Sequence, residues 1–292
     1  MRVALATCRV LPEPDPDQEP LLAALRAAGM EAELLAWDDP DADLSRFDLC
    51  VLRSTWNYPQ DPEAFLAWVD RASQQTRLLN PPSLVRWNLH KRYLAELDRQ
   101  GIPVVPTAFV DRGDATTAST IARERGWNEI VIKPAISASS YRTKRFPAGQ
   151  LGEADAFLTE LTHERDALVQ EYLPSFEDPG ERAVVRIAGE TTHLVGKSPR
   201  FSGEDESVSD SQQPSDEERA LVGRILAQLG SKIGPRDLEE EPLYARVDLV
   251  LNRRGRVCVS ELELIEPSLF LVHSPRAMDL FVQAIQKRAR GT

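Results

Sequence analysis

The sequence has 292 residues, more than one ordinary domain, and this length predicts two or three closely packed α/β modules. It carries 35 Lys and Arg residues against 46 Asp and Glu residues, a net charge of −11, so nucleic acid is not an expected partner. Its three cysteines are far apart and include no CxxC pair, which argues against a disulfide framework and a thiolate metal site. No signal peptide pattern and no run near the roughly 20 apolar residues of a membrane span is present, so we expect a cytoplasmic protein without a membrane partner.

The first 80 residues alternate between strand and helix patterns. The predicted strands are Arg2–Thr7, Glu31–Trp37, Phe47–Arg53 and Arg77–Leu79, and the predicted helices are Glu19–Ala28 and Pro62–Ala72. Strand-helix-strand order is typical of a parallel sheet. The break Asn80-Pro81-Pro82 predicts the end of a first domain, residues 1–80.

The middle of the chain predicts a further α/β segment, residues 81–172. Ser83 is a candidate N-cap for a single helix that runs to Gln100, with Gly101 behind it. Val104–Thr107 is predicted to lead into another strand. The other predicted elements are the strands Glu129–Pro134 and Ala167–Leu173 and the helices Ala115–Arg125 and Glu153–Thr162.

The last segment, residues 173–292, is richer in antiparallel signals. Its predicted strands are Arg182–Ile187, Thr192–Lys197 and a hairpin within Tyr244–Ser268, and its predicted helices are Ser215–Leu229 and Pro275–Arg290. The acidic, serine-rich stretch Ser202–Asp216 has no periodicity and is predicted to be a mobile loop.

The hairpin has an unusual distribution of charge. A four-residue turn over Asn252–Gly255 would place Asp248 opposite Val259 and Arg246 opposite Glu261. Alternation would then gather one arginine and three carboxylates on one face, with mostly apolar side chains on the other. The charged face is predicted to hold Tyr244, Arg246, Asp248, Val259, Glu261 and Glu263.

Two interpretations of this charged face are open. It could be the solvated face of an edge strand, where charge deters aggregation. Alternatively, oxygen ligands grouped on a rigid sheet suit Mg²⁺, and an arginine beside them suits a phosphoryl group in transfer. The second interpretation requires a nucleotide site.

The nucleotide site cannot be either of the two common glycine-rich types. The sequence contains no GxxxxGK[ST] and no GxGxxG motif. Lys91 and Lys133 are the candidate phosphate ligands, although each could be an ordinary surface lysine. Lys133 closes an apolar strand, abuts Pro134 and precedes a loop of small residues whose backbone amides could approach an anion.

The chain resembles the ATP-grasp ligases, which include D-alanine–D-alanine ligase and glutathione synthetase. The resemblance is carried, in order, by KRYLAELDRQGIPVVPT, VIKPAISASS, VQEYL, GERAVV, RVD and ELEL. RSTWNYP, NPPSLVRWNLHK and ELELIEPSL are most similar to the branch of the D-cycloserine ligase type. The resemblance covers about residue 80 to the C-terminus and implies an ATP-grasp fold preceded by a Rossmann-like pre-ATP-grasp domain.

The resemblance also implies roles for individual residues. Lys91, Lys133, Ser137 and Ser139 would hold ATP phosphates, Gln170, Glu171, Tyr172 and Leu173 would form the hinge strand at the adenine, and Glu181 would reach the ribose. Asp248, Glu261 and Glu263 would bind Mg²⁺, or Mn²⁺ in its place, and Arg246 and Lys197 would act at the γ-phosphate. Two departures stand out: the loop Ser137–Tyr141 has no glycine, and Ser202–Asp216 lacks an arginine, so Lys197 and Arg200 would supply that charge.

The reaction that the resemblance implies is phosphoryl transfer from ATP to a small carboxylate, followed by attack of a nitrogen nucleophile on the acyl phosphate. Arg53 follows a strand at the end where ligands bind in parallel sheets, so we expect it to select an amino-acid-like substrate. Trp56, Asn57 and Tyr58 would shape that pocket. A kinase-like phosphotransferase and a nucleotide-binding module without ligation remain alternatives, and a homodimer is compatible with the sequence.

Overall fold

The computed structural model describes residues 1–199, 207–231 and 242–290, and it contains three four-stranded sheets. The N-terminal sheet consists of β1 (Arg2–Thr7), β2 (Glu31–Ala36), β3 (Leu49–Ser54) and β4 (Arg77–Leu79) in the order β2-β1-β3-β4. All three pairings are parallel, which confirms the prediction from the strand-helix-strand pattern. Helices α1 (Gln18–Ala27) and α2 (Pro62–Gln75) connect its strands.

The second sheet is antiparallel and lies in the middle of the chain. It consists of β5 (Thr107–Val110), β6 (Ile130–Pro134), β7 (Lys144–Phe146) and β8 (Ala167–Glu171) in the order β5-β8-β6-β7. Helices α5 (Ala118–Arg125) and α6 (Leu151–Glu164) pack on it in a core of their own. The sequence analysis missed β7. The strand predicted to follow Val104–Thr107 is β5, and Val104 itself forms an isolated bridge to Val259.

The third sheet is also antiparallel. It consists of β9 (Glu181–Ile187), β10 (Glu190–Lys197), β11 (Tyr244–Leu251) and β12 (Val257–Glu263) in the order β10-β9-β11-β12. Helices α7 (Asp216–Ala227) and α8 (Pro275–Ala289) flank it. Side chains of this sheet and of α8 share one apolar core with the N-terminal sheet, so these two sheets are packed together.

The helix predicted from Ser83 to Gln100 is two helices. They are α3 (Pro82–Leu89) and α4 (Tyr93–Arg99), and the N-cap position of α3 is Pro81 rather than Ser83. At the break, the main-chain N–H of Lys91 donates to the carbonyl of Ala135, 2.8 Å away. The contact ties the α3–α4 junction to the end of β6.

The hairpin register differs from the predicted one. Leu251 pairs with Val257, so the loop has five residues rather than four, and Ser260 forms a bulge between Val259 and Glu261. The longer loop and the bulge each shift the pairing by one residue, so their effects on the side-chain alternation cancel. Asp248 therefore lies opposite Glu261 rather than Val259.

The same register places Arg246 opposite Glu263 rather than Glu261. Val259, predicted on the charged face, lies in the apolar core on the other side of the sheet. Tyr244 lies on the same face as Arg246 and Asp248, as predicted, but is buried in the core shared with the N-terminal sheet. The four charged residues of the hairpin nevertheless share one face, as predicted.

The stretch Ser202–Asp216 is described only in part. Its residues 202–206 lie outside the described residues, as does Arg200. From Ser207 onward the chain runs beside β10, where Val208 bridges Lys197 and Gln212 bridges Leu194. Among the described helices, none is long and apolar enough to cross a membrane.

The three sheets fall one each in the predicted segments 1–80, 81–172 and 173–292. The boundaries of those domains, and the Rossmann-like character of the first, stay predictions.

Candidate active site

A large cleft lies between the second and third sheets, and its mouth reaches the loop after β3. Its empty space, including the part open to solvent, is about 1220 Å³. The sequence-predicted residues that line it are Trp56, Tyr58, Lys91, Lys133, Ser137, Ser139, Gln170, Tyr172, Glu181, Lys197, Arg246, Asp248, Glu261 and Glu263.

Asp248 is held by two cations on the floor of the cleft. Arg246 donates from Nε to Asp248 Oδ1 and from a terminal nitrogen to Oδ2, each at 2.9 Å. Lys197 Nζ lies 2.7 Å from Asp248 Oδ2. Although burial opposes ionisation, Arg246 and Lys197 hold the pKa of Asp248 below its ordinary value. Asp248 is therefore an anion in the folded protein at neutral pH.

Glu261 is the meeting point of both predicted phosphate lysines. Lys91 contacts Glu261 Oε1, and Lys133 Nζ lies 3.4 Å from Oε2. Although burial opposes ionisation, these two lysines hold the pKa of Glu261 well below its ordinary value. Lys91 also donates to the main-chain carbonyl of Ser137, 3.1 Å away, so it links the floor of the cleft to the loop Ser137–Tyr141.

Glu263 is in a different electrostatic position. It contacts Arg246, which also pairs with Asp248. Burial, with repulsion from Asp248 and Glu261, raises the pKa of Glu263 to about 7. Glu263 therefore gains or loses its proton near neutral pH, whereas Asp248 and Glu261 stay ionised there.

The floor of the cleft offers oxygen donors that could hold a metal ion. Within residues 1–199, 207–231 and 242–290, no three His, Cys, Asp or Glu side chains converge closely enough to hold one. The carboxylates of Asp248, Glu261 and Glu263 instead turn to lysines and arginine on the same face. Mg²⁺ prefers hard oxygen donors, and these carboxylates lie on a rigid hairpin. The residues therefore fit a metal cation, provided that the cation replaces some of their lysine and arginine partners.

Glu181 lies at the edge of this floor. It pairs with Lys197 at 2.9 Å and accepts a hydrogen bond from Ser260, the bulged residue of β12. The Ser260 hydroxyl also lies 3.0 Å from the main-chain carbonyl oxygen of Asp248. The bulge thus connects Glu181 to the strand that carries Asp248.

The predicted hinge strand contributes only some of its residues to the cleft. Gln170 and Tyr172 line it. Glu171 pairs with Arg253 at 2.5 Å, and Leu173 is buried in a separate apolar cluster, so neither side chain lines the cleft. The main-chain N–H of Tyr172 donates to the carbonyl of Glu129 at 2.9 Å, which removes this donor from contact with a ligand.

The loop Ser137–Tyr141 has left-handed backbone conformations although it contains no glycine. Ser139 and Ser140 have φ angles of 46° and 55°, and both line the cleft. Non-glycine residues in this region cost on the order of 1 kcal/mol or more each. The loop Ser137–Tyr141 therefore adopts left-handed turns although it contains no glycine.

Two of the four predicted substrate residues do not line the cleft. Arg53 is 3 % exposed, donates to the Pro267 carbonyl at 3.1 Å, and lies 3.8 Å from Asp17. Asn57 binds Trp37 and Asp38 on another surface, at 2.6 and 2.7 Å. Arg53 does not line the cleft because packing against the third sheet covers the end of β3, and Asn57 faces away from it. Their part in substrate selection stays a prediction.

The other two substrate candidates lead to an acid that the sequence analysis missed. Trp56 Nε1 donates to the Glu266 carbonyl at 2.9 Å, and the Tyr58 hydroxyl donates to the Glu266 carboxyl. Glu266 is 7 % exposed and lines the cleft. Burial, with repulsion from Glu263, raises the pKa of Glu266 to about 8. A charged residue between an apolar run and Pro267 was the available signal in the sequence.

Comparisons with known proteins point to one family. Residues 3–80 match the model of the N-terminal domain of D-cycloserine synthetase DcsG. The cycloserine biosynthesis protein DcsG of Streptomyces lavendulae is 32% identical over 298 residues, which cover 99% of both chains. The crystal structure of D-cycloserine synthetase DcsG has a TM-score of 0.89 at 32% identity and covers 99% of this chain and 100% of its own.

More distant structures share the fold. D-alanine–D-alanine ligase of Bacillus anthracis, complexed with ATP, has a TM-score of 0.68 at 15% identity and covers 99% of this chain and 97% of its own. The ATP-grasp ligase PsnB, complexed with a phosphomimetic precursor variant, Mg and ADP, has a TM-score of 0.63 at 16% identity over 98% of both chains.

Proposed function

The chain belongs to the D-cycloserine synthetase DcsG family of ATP-grasp ligases, and from this premise we propose that it closes the ring of D-cycloserine or of a close analogue. D-cycloserine contains an amide bond whose nitrogen is also bonded to oxygen, within a five-membered ring. The acyclic substrate would be a D-serine derivative whose side-chain oxygen carries that nitrogen. The carboxylate and the nucleophile would then belong to one molecule.

The observation that carries this proposal is the assembly of Lys91, Lys133, Lys197 and Arg246 around three carboxylates in a single cleft. Such an arrangement can neutralise the charge that develops when a phosphoryl group passes from ATP to a carboxylate. A solvated edge strand does not account for it, because Asp248 and Lys197 are buried in the described structure.

Mg²⁺, with Mn²⁺ as a substitute, would be held by Asp248, Glu261 and Glu263, and when bound it supplies charge neutralisation for the ATP phosphates. Lys91 and Lys133 would release Glu261 and turn to phosphate oxygens. Ser137 and Ser139 would lie over the phosphates, and Gln170 and Tyr172 would lie at the adenine. These assignments are supported by the position of each side chain in the cleft.

Arg246 and Lys197 would stabilise the transferring phosphoryl group and the acyl phosphate. Both lie at Asp248, so their charges are fixed before a ligand arrives. Glu181 would reach the ribose from the edge of the floor. The substrate nitrogen would then attack the acyl carbon, the carbon–nitrogen bond would form, and inorganic phosphate would leave.

The proposal is tested by supplying ATP, Mg²⁺ and β-aminooxy-D-alanine, the ring-opened form of D-cycloserine. We expect stoichiometric ADP, phosphate and D-cycloserine, detected by mass spectrometry. Replacement of Mg²⁺ by Mn²⁺ tests the second metal, and the L-enantiomer is the matched control. Release of ADP without a new carbon–nitrogen bond would favour a phosphotransferase instead.

A further inference from the structure

The segment that follows β12 is fixed by side chains from two sheets. The carbonyls of Glu266, Pro267 and Ser268 each accept one hydrogen bond, from Trp56 at 2.9 Å, Arg53 at 3.1 Å and Arg246 at 3.2 Å. Arg53 and Trp56 come from the end of β3 and the loop behind it, whereas Arg246 comes from β11. These three hydrogen bonds fix the main chain of the segment Glu266–Ser268.

Glu266 differs from the other acids of the third sheet in its partners. The acids on β9, β11 and β12 that line the cleft each contact a lysine or arginine: Glu181, Asp248, Glu261 and Glu263. Glu266 forms no ion pair within the described residues, and its side-chain partner there is the neutral hydroxyl of Tyr58. Ionising a carboxyl that is 7 % exposed and has no cation in contact costs free energy. A bound ligand that carries a positive charge would offset that cost.

We propose that Glu266, positioned by Tyr58, binds the ammonium group of the amino-acid substrate. This inference rests on the proposed function, because it assigns the amine of the same substrate whose carboxylate is activated. The carboxylate and ammonium groups of an α-amino acid are joined through one carbon. Glu266 lies beside the floor on which Arg246 would receive the carboxylate, and Arg246 contacts Ser268 in the same segment.

The segment Glu266–Ser268 would let Arg53 influence substrate selection without contacting the substrate. Arg53 holds the carbonyl of Pro267, the residue next to Glu266. Arg53 and Trp56 are therefore positioning residues, and Glu266 and Tyr58 are the residues that touch the ligand.

The experiment compares ligands that differ only in the amine. D-cycloserine is paired with 1,2-oxazolidin-3-one, and D-alanine is paired with propionate. Affinities are measured by calorimetry on the full chain with Mg²⁺ and ADP present, for the wild type, Glu266→Gln and Tyr58→Phe. Glu190→Gln is the matched control, because Glu190 is exposed and pairs with Arg276 on the surface.

The wild type is expected to bind the amine-bearing member of at least one pair roughly 10- to 100-fold more tightly. Glu266→Gln should remove that preference without changing ADP affinity, Tyr58→Phe should reduce it, and Glu190→Gln should keep it. Equal affinity within both pairs for the wild type, including no binding of either member, would overturn the proposal. So would a preference that survives in Glu266→Gln.

The same data separate the two proposals. If D-alanine is preferred over propionate and the preference depends on Glu266, but neither ring compound binds and β-aminooxy-D-alanine is not cyclised, ring closure is wrong and the ammonium site stands. If ring closure occurs and no preference depends on Glu266, the ammonium site is wrong and ring closure stands.

Discussion

Lys197 reaches from β10 across the intervening strand β9 to Asp248 on β11, and its Nζ lies 2.7 Å from Asp248 Oδ2. Both side chains are buried. The contact fixes an ammonium group at the centre of the floor and keeps Asp248 ionised, together with Arg246. Because Lys197 also pairs with Glu181 of β9 at 2.9 Å, three strands of the sheet are linked at one charged point.

Lys197→Met is expected to lower turnover by roughly 100- to 1,000-fold, the loss typical when one electrostatic donor is removed. The fold should persist, because Arg246 still pairs with Asp248. Initial rates of ADP release and a thermal unfolding curve check this prediction. Lys287→Met, on an exposed position of α8, is the control. Turnover within a factor of two of the wild type would exclude Lys197 from the reaction.

Lys133→Met keeps the length of the side chain and removes its charge. We expect nucleotide affinity to fall on the order of 10-fold, because a charge-assisted hydrogen bond to phosphate is lost. Calorimetric titration with ADP and Mg²⁺ measures it. The matched control is Lys144→Met on the neighbouring strand β7, whose ammonium lies 4.5 Å from the centre of the Phe157 ring, outside the cleft. If both variants bind ADP equally, Lys133 is not a phosphate ligand.

Gly180→Ala tests the backbone that supports Lys197. Gly180 has a φ of +93°, and a Cβ there would lie 2.9 Å from the carbonyl oxygen of Lys197. We expect the free energy of unfolding to fall by roughly 1 to 3 kcal/mol, and turnover to fall because the Lys197 main chain must shift. Gly149→Ala, where no atom lies within 4 Å of the added methyl, should change neither quantity. Unaltered turnover in Gly180→Ala would show that Lys197 tolerates displacement.

The raised pKa of Glu266 predicts a pH dependence of stability in the absence of ligands. The folded protein keeps the proton up to a pKa of about 8, whereas the unfolded chain releases it near the ordinary value of 4.5. As the pH rises through this window, the unfolded state alone is stabilised by ionisation. The wild type should therefore lose free energy of unfolding relative to Glu266→Gln, on the order of 1 kcal/mol per pH unit. Urea unfolding of both proteins at pH 5.5 and 7.5 measures the difference, and a constant difference would contradict the prediction.

The charged face of the hairpin was predictable because two one-residue changes in register leave the side-chain alternation unchanged. The extra loop residue and the bulge at Ser260 were not predictable, since both depend on contacts with other strands. The break between α3 and α4 was also missed. Residues Ser83–Gln100 have a continuous helical pattern, and the break is stabilised by a tertiary contact, from Lys91 to Ala135.

The substrate side of the cleft was predicted less well. The rule that ligands bind beyond the carboxyl ends of parallel strands placed Arg53 at a pocket, but α8 and the third sheet cover that end. The Arg53 side chain instead donates to the carbonyl of Pro267, a contact that no local sequence pattern reveals. Glu266 was missed for the same reason, since its burial depends on residues about 200 positions earlier in the chain.

The most direct test of the central claim, that the cleft forms an acyl phosphate before the carbon–nitrogen bond, is an isotope transfer measurement. β-Aminooxy-D-alanine labelled with ¹⁸O in its carboxylate is incubated with ATP, Mg²⁺ and the protein, and the inorganic phosphate is analysed by mass spectrometry. The account predicts one ¹⁸O atom in each phosphate released, because the carboxylate oxygen that accepts the phosphoryl group leaves with it. Unlabelled phosphate formed together with the product would contradict the account.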